Sequence, residues 1–138
     1  MVIYNDIIPF DGYDSMAIFP FIFARKKPLH SLVLNHETIH LHQQFEVLVV
    51  SLLVALLLVL FFDASFWWLL AALPVYYTLY GLEYCIRYLV YGDHEEAYFN
   101  ISFEQEAYLN DGESDYLDER VPFAWLKFLV KKSYERLV

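Results

Sequence analysis

Cysteine and basic residues are scarce in this sequence, and each shortage excludes a class of protein. Cys85 is the one cysteine among 138 residues, which excludes an internal disulfide and a cysteine-rich zinc knuckle. Lys and Arg together number 9, against 18 Asp and Glu residues, and the net charge is −9. Because nucleic-acid binding needs a basic surface, we expect no nucleic-acid partner.

We also expect no secretory signal at the start of the sequence. The first residues, MVIYNDIIPF, contain no basic segment and no small-residue cleavage site. We therefore expect insertion into a membrane to use internal segments.

Apolar residues, in contrast, are abundant. They make up 59 % of the chain, above the roughly 45–50 % that is typical of soluble domains. Two runs concentrate them, Val47–Phe62 and Ser65–Leu82. Each run is slightly shorter than the roughly 20 residues of a spanning helix, but both extend into amphipathic flanks. Since only a tight turn fits between them, the sequence predicts a helical hairpin with two membrane spans.

The distribution of cations gives this hairpin an orientation. Cations flank both runs and are absent from the turn: Arg25, Lys26, Lys27, Arg87, Arg120, Lys127, Lys131, Lys132 and Arg136. The positive-inside rule then puts both termini in the cytoplasm. We expect a multi-pass protein of the cell membrane, and a bacterial inner membrane suits such a hairpin.

A metal-binding motif lies just before the first apolar run. The segment HETIH, from His36 to His40, is an HExxH sequence. On a helix, positions i and i+4 share one face, so both imidazoles can bind one ion, and Glu37 can reach a water molecule on that ion. Zinc suits this site because it accepts imidazole and carboxylate ligands and keeps a position open for water.

The rise of a straight helix places this motif next to the bilayer. His42 to Phe62 covers about 30 Å, the thickness of the hydrocarbon core, so the motif should lie just outside the core on the cytoplasmic side. We expect the returning helix to reach the level of Gln44 near Glu83. Glu83 is also expected to pair with Arg87, four residues further on.

A zinc site with an open position needs a third protein ligand, and the carboxyl-rich helix predicted for residues 93–110 is its obvious source. HETIH followed by SFEQEAY resembles the gluzincin pattern of membrane-integral zinc metallopeptidases, in which HExxH is paired with a later ExxAD-like segment. The resemblance implies Glu104 as the third ligand, with Tyr108 where the family has Asp. His94 and Glu83 remain alternatives. His94 directly precedes the similar segment EEAYFN and so matches the position of Glu104, and Glu83 is expected at nearly the same depth as Gln44.

The resemblance also implies a mechanism, metal-assisted peptide hydrolysis. Zinc polarises the scissile carbonyl and a water molecule, while Glu37 takes the proton of that water and passes it to the leaving amine. A further donor must stabilise the oxyanion. The candidates for this donor are Tyr98, Tyr91 and His94. Tyr98 is predicted to be the catalytic partner of Glu37. Residues 17–25 are the expected edge strand for an extended substrate.

These observations predict a mainly α-helical integral membrane protein with a single domain over residues 1–138. Its parts are a β-rich N-terminal element (1–29), an HExxH helix running into the first span (30–62), a second span (64–91), a third-ligand helix (93–110) and an interfacial amphipathic helix (121–138). The last part is expected to lie on an anionic membrane face, because it combines apolar residues with cations.

The predicted function is that of a zinc-dependent membrane endopeptidase that cleaves peptides or membrane-proximal protein segments. Its partners would be that substrate and the lipid bilayer. Self-association as a homo-oligomer could supply the walls of the active-site chamber, for which so small a chain has little material. The alternative is a non-catalytic membrane protein with a structural or degenerate zinc site. Glu37 argues against it, because a structural site needs no acid between its histidines. Carboxylate di-iron enzymes need a second Glu-x-x-His motif, which is missing.

Overall fold

The structure is a computed structural model that describes residues 1–9 and 12–130. The chain is mainly helical, as predicted, with one small sheet at its N-terminal end. In chain order the elements are β1 (Val2–Tyr4), β2 (Ser15–Ile18), β3 (Phe21–Ala24), α1 (Ser31–Phe62), α2 (Trp68–Ala71), α3 (Val75–Tyr91), α4 (His94–Phe99), α5 (Ser102–Asn110), α6 (Tyr116–Glu119) and a 3₁₀ helix (Ala124–Phe128).

Helix α1 agrees closely with the helix predicted for residues 30–62. His30 caps its start by accepting a hydrogen bond from the Leu32 N–H at 3.3 Å, and the sequence contains no Pro or Gly that would interrupt it. The helix ends at Phe62, and Asp63 caps it with a left-handed backbone (φ 52°) and an N–H that donates to the Leu58 carbonyl. Within the described residues, α1 is the helix that is long and apolar enough to cross a membrane.

The two halves of α1 have different surroundings. The first half buries polar side chains together with a few apolar ones: His36, Glu37, Ile39, His40, Gln43, Gln44 and Val47. The second half exposes most of its large apolar side chains, among them Leu53, Val54, Leu56, Leu57, Leu60, Phe61 and Phe62. One continuous helix therefore joins a buried polar segment to an exposed apolar segment.

The helix predicted for residues 64–91 is not continuous in the structure. It is divided into α2, which is a single turn, and α3. Pro74 accounts for the division, because proline has no N–H and its ring clashes with the preceding turn of a helix. Tyr77, near the start of α3, already reaches Gln44 and donates to its Oε1 at 3.1 Å. The prediction that Glu83 returns at this depth is therefore wrong.

The helix predicted for residues 93–110 is also divided, into α4 and α5, with extended backbone at Ile101. Ser102, the first residue of α5, donates from its N–H and its Oγ to Glu83 at 2.9 and 2.6 Å. Glu83 thereby satisfies a backbone donor that has no partner within the helix. It also pairs with Arg87 at 3.1 Å, as the spacing predicted. A contact with another helix thus determines where α5 begins.

The N-terminal sheet has the strand order β1-β3-β2. Strand β3 is central, and the edge that contacts α1 is β2. Residues 17–25, predicted as one edge strand, are divided between the end of β2, a turn and the central β3, so the prediction holds only for Ala17 and Ile18. The Arg25 N–H donates to the Asp14 carbonyl at 3.0 Å. Because hydrogen-bonded pairs alternate along an antiparallel ladder, the N–H and C=O groups of Ser15 and Ala17 point away from β3.

The amphipathic helix predicted for residues 121–138 is only a short 3₁₀ helix in its described part, and residues 131–138 lie outside the described residues. Trp125 and Phe128 are buried. Trp125 packs on Phe103 of α5, with ring centroids 4.4 Å apart. The described part is therefore anchored to the protein by its buried face and is not the α-helix that was predicted, while its place at a membrane interface stays a prediction.

An apolar core forms where α1, α3, α5 and the 3₁₀ helix meet, from Val47, Tyr76, Ile101, Phe103 and Trp125. Phe103 contacts aromatic rings on both sides, with centroids 4.7 Å from Tyr76 and 4.4 Å from Trp125. Burial of this ring holds α5 against α1, and so it positions the next residue, Glu104.

Replacing Phe103 with alanine should lower the free energy of unfolding by about 3–5 kcal/mol, because the deleted ring leaves a cavity in the core. Leu109→Ala is the control on the same helix, since Leu109 is 50 % exposed and should affect stability far less. Chemical denaturation of the purified variants measures both changes. Equal losses in the two variants would contradict the central place of Phe103 in the core.

Candidate metal centre

Three potential metal ligands from two helices converge at one point. His36 and His40 lie one turn apart on α1, and Glu104 lies in the first turn of α5. The two Nε2 atoms are 3.1 Å apart, Glu104 Oε2 is 3.4 Å from His36 Nε2, and Glu104 Oε1 is 3.4 Å from His40 Nε2. All three side chains are buried. Within the part of the chain that the structure describes, this group can hold a metal ion.

The spacing of these atoms suits zinc. In a tetrahedral site with bonds of about 2.0–2.1 Å, neighbouring ligand atoms lie about 3.3 Å apart. The two nitrogens are 3.1 Å apart, and each lies 3.4 Å from a different oxygen of Glu104, which are distances close to this value. Two nitrogens and one oxygen are also a donor set that zinc accepts while a fourth position stays open. The residues therefore fit the metal that HExxH implies.

One carboxylate oxygen of Glu104 accepts a hydrogen bond, and the other accepts none from the described residues. Its Oε1 accepts a hydrogen bond from the Tyr80 hydroxyl at 2.7 Å, whereas Oε2 is buried and has no hydrogen-bond partner among residues 1–9 and 12–130. Burial alone would raise the pKa of Glu104, but the charge of His40 and the contacts with both imidazoles hold the pKa of that carboxyl well below its usual range. A buried anionic oxygen that accepts no hydrogen bond is costly, and a cation would satisfy it.

A carboxylate contacts the other ring nitrogen of His36. His36 Nδ1 lies 3.3 Å from Asp111 Oδ2, and Asn35 holds Asp111 by donating to its backbone carbonyl at 3.1 Å. Metal-binding histidines commonly have such a partner, which fixes the ring and raises its basicity. Tyr108, which stands where the gluzincin pattern has Asp, packs against the His36 ring at 4.4 Å. Asp111, nearly one turn later, makes the carboxylate contact instead.

An amide contacts the other ring nitrogen of His40. His40 Nδ1 lies 2.8 Å from Gln43 Oε1, and Gln43 is fully buried. Tyr80 and Asp111 are functional candidates that the sequence reasoning missed, whereas the sequence places Gln43 on the helix face of the motif without giving it a role. The contact of Gln43 with His40 could have been predicted from the sequence, because residues at positions i and i+3 are neighbours on a helix. Tyr80 could not have been predicted in this way, since it reaches the site through packing between separate helices. Asp111 lies seven residues after Glu104, a spacing that returns to the same helix face, but its contact with His36 also depends on the packing of α5 against α1.

A cavity of about 330 Å³ opens onto the potential ligands and onto Glu37. Its walls come from β2 and from a set of tyrosines on several elements: Tyr13, Tyr76, Tyr77, Tyr80 and Tyr98. Ser15 of β2 donates from its Oγ to Glu37 Oε1 at 2.7 Å. The acid of the HExxH motif therefore faces a cavity that is shared by the metal-binding group and by the edge of the sheet.

The structure places the other site residues predicted from the sequence in different surroundings. Tyr98 lines the cavity, and burial, together with the charge of Glu104, raises the pKa of Tyr98 well above its usual range. Tyr91 and His94 are not among the residues that line this cavity, and His94 Nδ1 is instead 2.8 Å from a tyrosine hydroxyl at an exposed position. Glu83 caps α5. Roles in binding and catalysis stay predictions for Glu104 and Tyr98.

A larger cavity, of about 530 Å³, lies beside the apolar half of α1. Its lining is almost entirely apolar and contains no titratable side chain. Of these two cavities, only the smaller is lined by described residues that can perform acid–base or metal chemistry.

Comparison of the chain with models of protein families, with curated proteins and with solved structures finds no match. The likeness to gluzincins thus rests on the HETIH and SFEQEAY segments alone. Function must be inferred from the geometry of the site.

Glu104→Ala should weaken zinc binding by more than the roughly 10–100-fold that is typical of residues which only orient a ligand. The reason is that the variant removes one of three donors. His94→Ala is the matched control and should bind zinc as the wild type does. Competition with a chromogenic chelator measures both affinities. The reverse pattern would identify His94 as the third ligand.

Proposed function

We propose that this protein is a zinc-dependent endopeptidase of the gluzincin type that works at a membrane. The observation that carries the proposal is the meeting of His36, His40 and Glu104 with Glu37 at one cavity. A structural zinc site needs neither an acid at Glu37 nor an open space beside the ligands. A hydrolytic site needs both.

The chain's own residues have distinct roles in the proposed reaction. Zinc held by the three ligands would supply a Lewis acid for the substrate carbonyl and would lower the pKa of a water molecule. Glu37 accepts the proton of that water and returns it to the leaving amine, and Ser15 steadies this carboxylate through its hydrogen bond at 2.7 Å. Tyr98 keeps its proton and donates to the oxygen that becomes negatively charged.

The edge of β2 favours a peptide as the substrate. Ser15 and Ala17 direct backbone groups away from β3, and both residues line the cavity. An extended peptide can bind such an edge through main-chain hydrogen bonds. Gln44 limits the available length, because it donates to the Ala17 carbonyl at 2.9 Å and accepts from the Phe19 N–H at 2.8 Å. The edge around Ser15 can therefore take a short stretch of extended peptide.

The exposed apolar surface supports a membrane location. Leu60, Phe61, Phe62, Phe66 and Trp67 are between 63 % and 75 % exposed. Contiguous apolar surface of this kind is untypical of soluble monomers and marks interaction sites, and a bilayer would cover it. We assign α1 and the segment that follows it to a membrane hairpin.

The position of the contacts supports an orientation for this hairpin. The N-terminal sheet, α5 and the start of α3 all contact the polar half of α1, so the parts before and after the hairpin lie at one end of it. The positive-inside rule assigns that end to the cytoplasm. The proposed location is the inner membrane of a cell, with the active site on the cytoplasmic side.

Glu37→Gln should keep zinc and lose hydrolysis by about 10²–10⁴-fold, because an amide preserves the shape of the acid but cannot accept the proton. Cleavage of casein or of a fluorogenic peptide measures activity, and elemental analysis of the same sample measures zinc.

The matched control is Glu113→Gln, a change at an exposed residue that should leave both values unchanged. Wild-type activity in Glu37→Gln would rule out the peptidase. A wild-type protein that holds zinc but cleaves nothing would favour the structural-site alternative.

Single cysteines should report the proposed topology once the exposed Cys85 has been replaced with serine. An impermeant maleimide added to intact cells should label a cysteine at Ser65, in the turn after α1, because this turn is assigned to the far side of the membrane. A cysteine at Glu113 should react only after lysis. Labelling in the opposite order would reverse the orientation, and labelling of both in intact cells would contradict the hairpin.

A further inference from the structure

Gln43 is hydrogen-bonded at both ends of its side-chain amide. Its Nε2 donates to the Phe103 carbonyl at 3.0 Å and to Glu106 Oε2 at 3.1 Å. Its Oε1 lies 2.8 Å from His40 Nδ1 and accepts from the Tyr76 hydroxyl at 3.3 Å. Gln43 is fully buried, so each of these partners counts toward satisfying the amide.

The groups at one end of this amide decide what the other end presents to His40. A carbonyl oxygen and a carboxylate have no proton to donate, so the NH₂ group of Gln43 must face Phe103 and Glu106. The oxygen of Gln43 then faces His40, and this oxygen can only accept. The 2.8 Å contact is therefore a hydrogen bond only when His40 carries a proton on Nδ1, and it is shorter than the 3.4 Å from Nδ1 to the Tyr76 hydroxyl. In the neutral ring this proton leaves the lone pair on Nε2.

Glu106 is paired with a buried cation. Arg120 donates from Nε to Glu106 Oε1 and from Nη2 to Glu106 Oε2 at 3.2 Å, and Tyr116 donates to Oε1 at 2.8 Å. The guanidinium of Arg120 also pairs with Glu46. Because Glu106 is fully buried, it would be costly without these partners. They present one of its oxygens to Gln43 as an acceptor.

We propose that Glu106 is a positioning residue for the metal site, and that it acts through Gln43 on the tautomer of His40. The proposal rests on the metal site proposed above, since it concerns whether one of its ligands, His40, is in the tautomer that can bind a metal ion. Glu106 orients Gln43, and Gln43 keeps the proton on His40 Nδ1. His40 Nε2 is then free to bind beside His36 and Glu104. In the opposite tautomer, a proton would occupy the ligand position.

The partner of His36 explains why only His40 needs this second step. Asp111 offers a carboxylate oxygen to His36 Nδ1, and a carboxylate is an acceptor whichever way it turns. The amide of Gln43 can present either an acceptor or a donor. Its direction must therefore be set by other groups, which are the Phe103 carbonyl and Glu106. Glu106 is the charged one, and its side chain can be changed by substitution.

The first measurement is made on the metal-free wild-type protein, at a pH high enough for His40 to be neutral. The ¹⁵N shifts of an imidazole distinguish the two tautomers, and the His40 signals are identified by their loss in a His40→Gln variant. We expect the proton on Nδ1. A proton on Nε2 would overturn the proposal. Since no metal is present, the result does not depend on whether the protein is a zinc peptidase.

The second measurement compares two variants that each remove one carboxylate from Arg120. Glu106→Gln can place an NH₂ group where Gln43 needs an acceptor. We expect it to shift His40 toward the Nε2–H tautomer and to lower the affinity for zinc by about 10–100-fold, measured by chelator competition. Glu46→Gln is the matched control, because Glu106 still faces Gln43. Both readouts should stay at the wild-type values in this control.

Two results with these variants would overturn the proposal. One is an unchanged His40 tautomer in Glu106→Gln, and the other is an equal shift in Glu46→Gln, which would point to general disturbance around Arg120. Circular dichroism checks that both variants are folded. If Glu106→Gln does not fold, the tautomer of His40 in the wild-type protein is the measurement that tests the proposal. A wild-type protein with the expected tautomer but no affinity for zinc would end the proposed function and leave the inference about Gln43 standing.

Discussion

The contact between α1 and α5 is the interaction on which the rest of the site depends. An HExxH helix provides two nitrogens on one face, but it cannot supply the third ligand itself. Helix α5 supplies it, and Phe103 fixes α5 in two ways, with its ring in the apolar core and with its carbonyl bonded to Gln43 at 3.0 Å. Glu104 directly follows Phe103. The metal-binding group is therefore a product of helix packing as much as of the motif.

Features that depend on local spacing could be predicted from the sequence. The bounds of α1 follow from a long stretch without Pro or Gly, and the shared face of His36 and His40 follows from helical geometry. A turn of about 200° between positions two residues apart also predicts that Glu104 and Glu106 face different ways. They do so in the structure, where Glu104 contacts the histidines and Glu106 contacts Arg120.

Features that depend on contacts between distant residues could not be predicted in this way. The depth assigned to Glu83 assumed a continuous second helix, but the return after α1 is broken before Pro74, and α3 starts at the level of the site. The break before α5 depends on Glu83, whose carboxylate binds the N–H and Oγ of Ser102. The edge of β2 meets Glu37 across a gap of 22 residues in sequence. Hydropathy and spacing carry no information about such partners.

The continuity of α1 links the proposed catalytic centre mechanically to the lipid around it. Since no Pro or Gly separates the histidines from the apolar half, the helix has no hinge that would let the two parts move independently. Hydrophobic segments adapt to bilayer thickness by tilting, and a tilt of this helix would carry His36 and His40 with it. In the proposed membrane setting, the geometry of the metal ligands would depend on the thickness of the host bilayer. Two lipid compositions could then give one chain two different arrangements of His36 and His40.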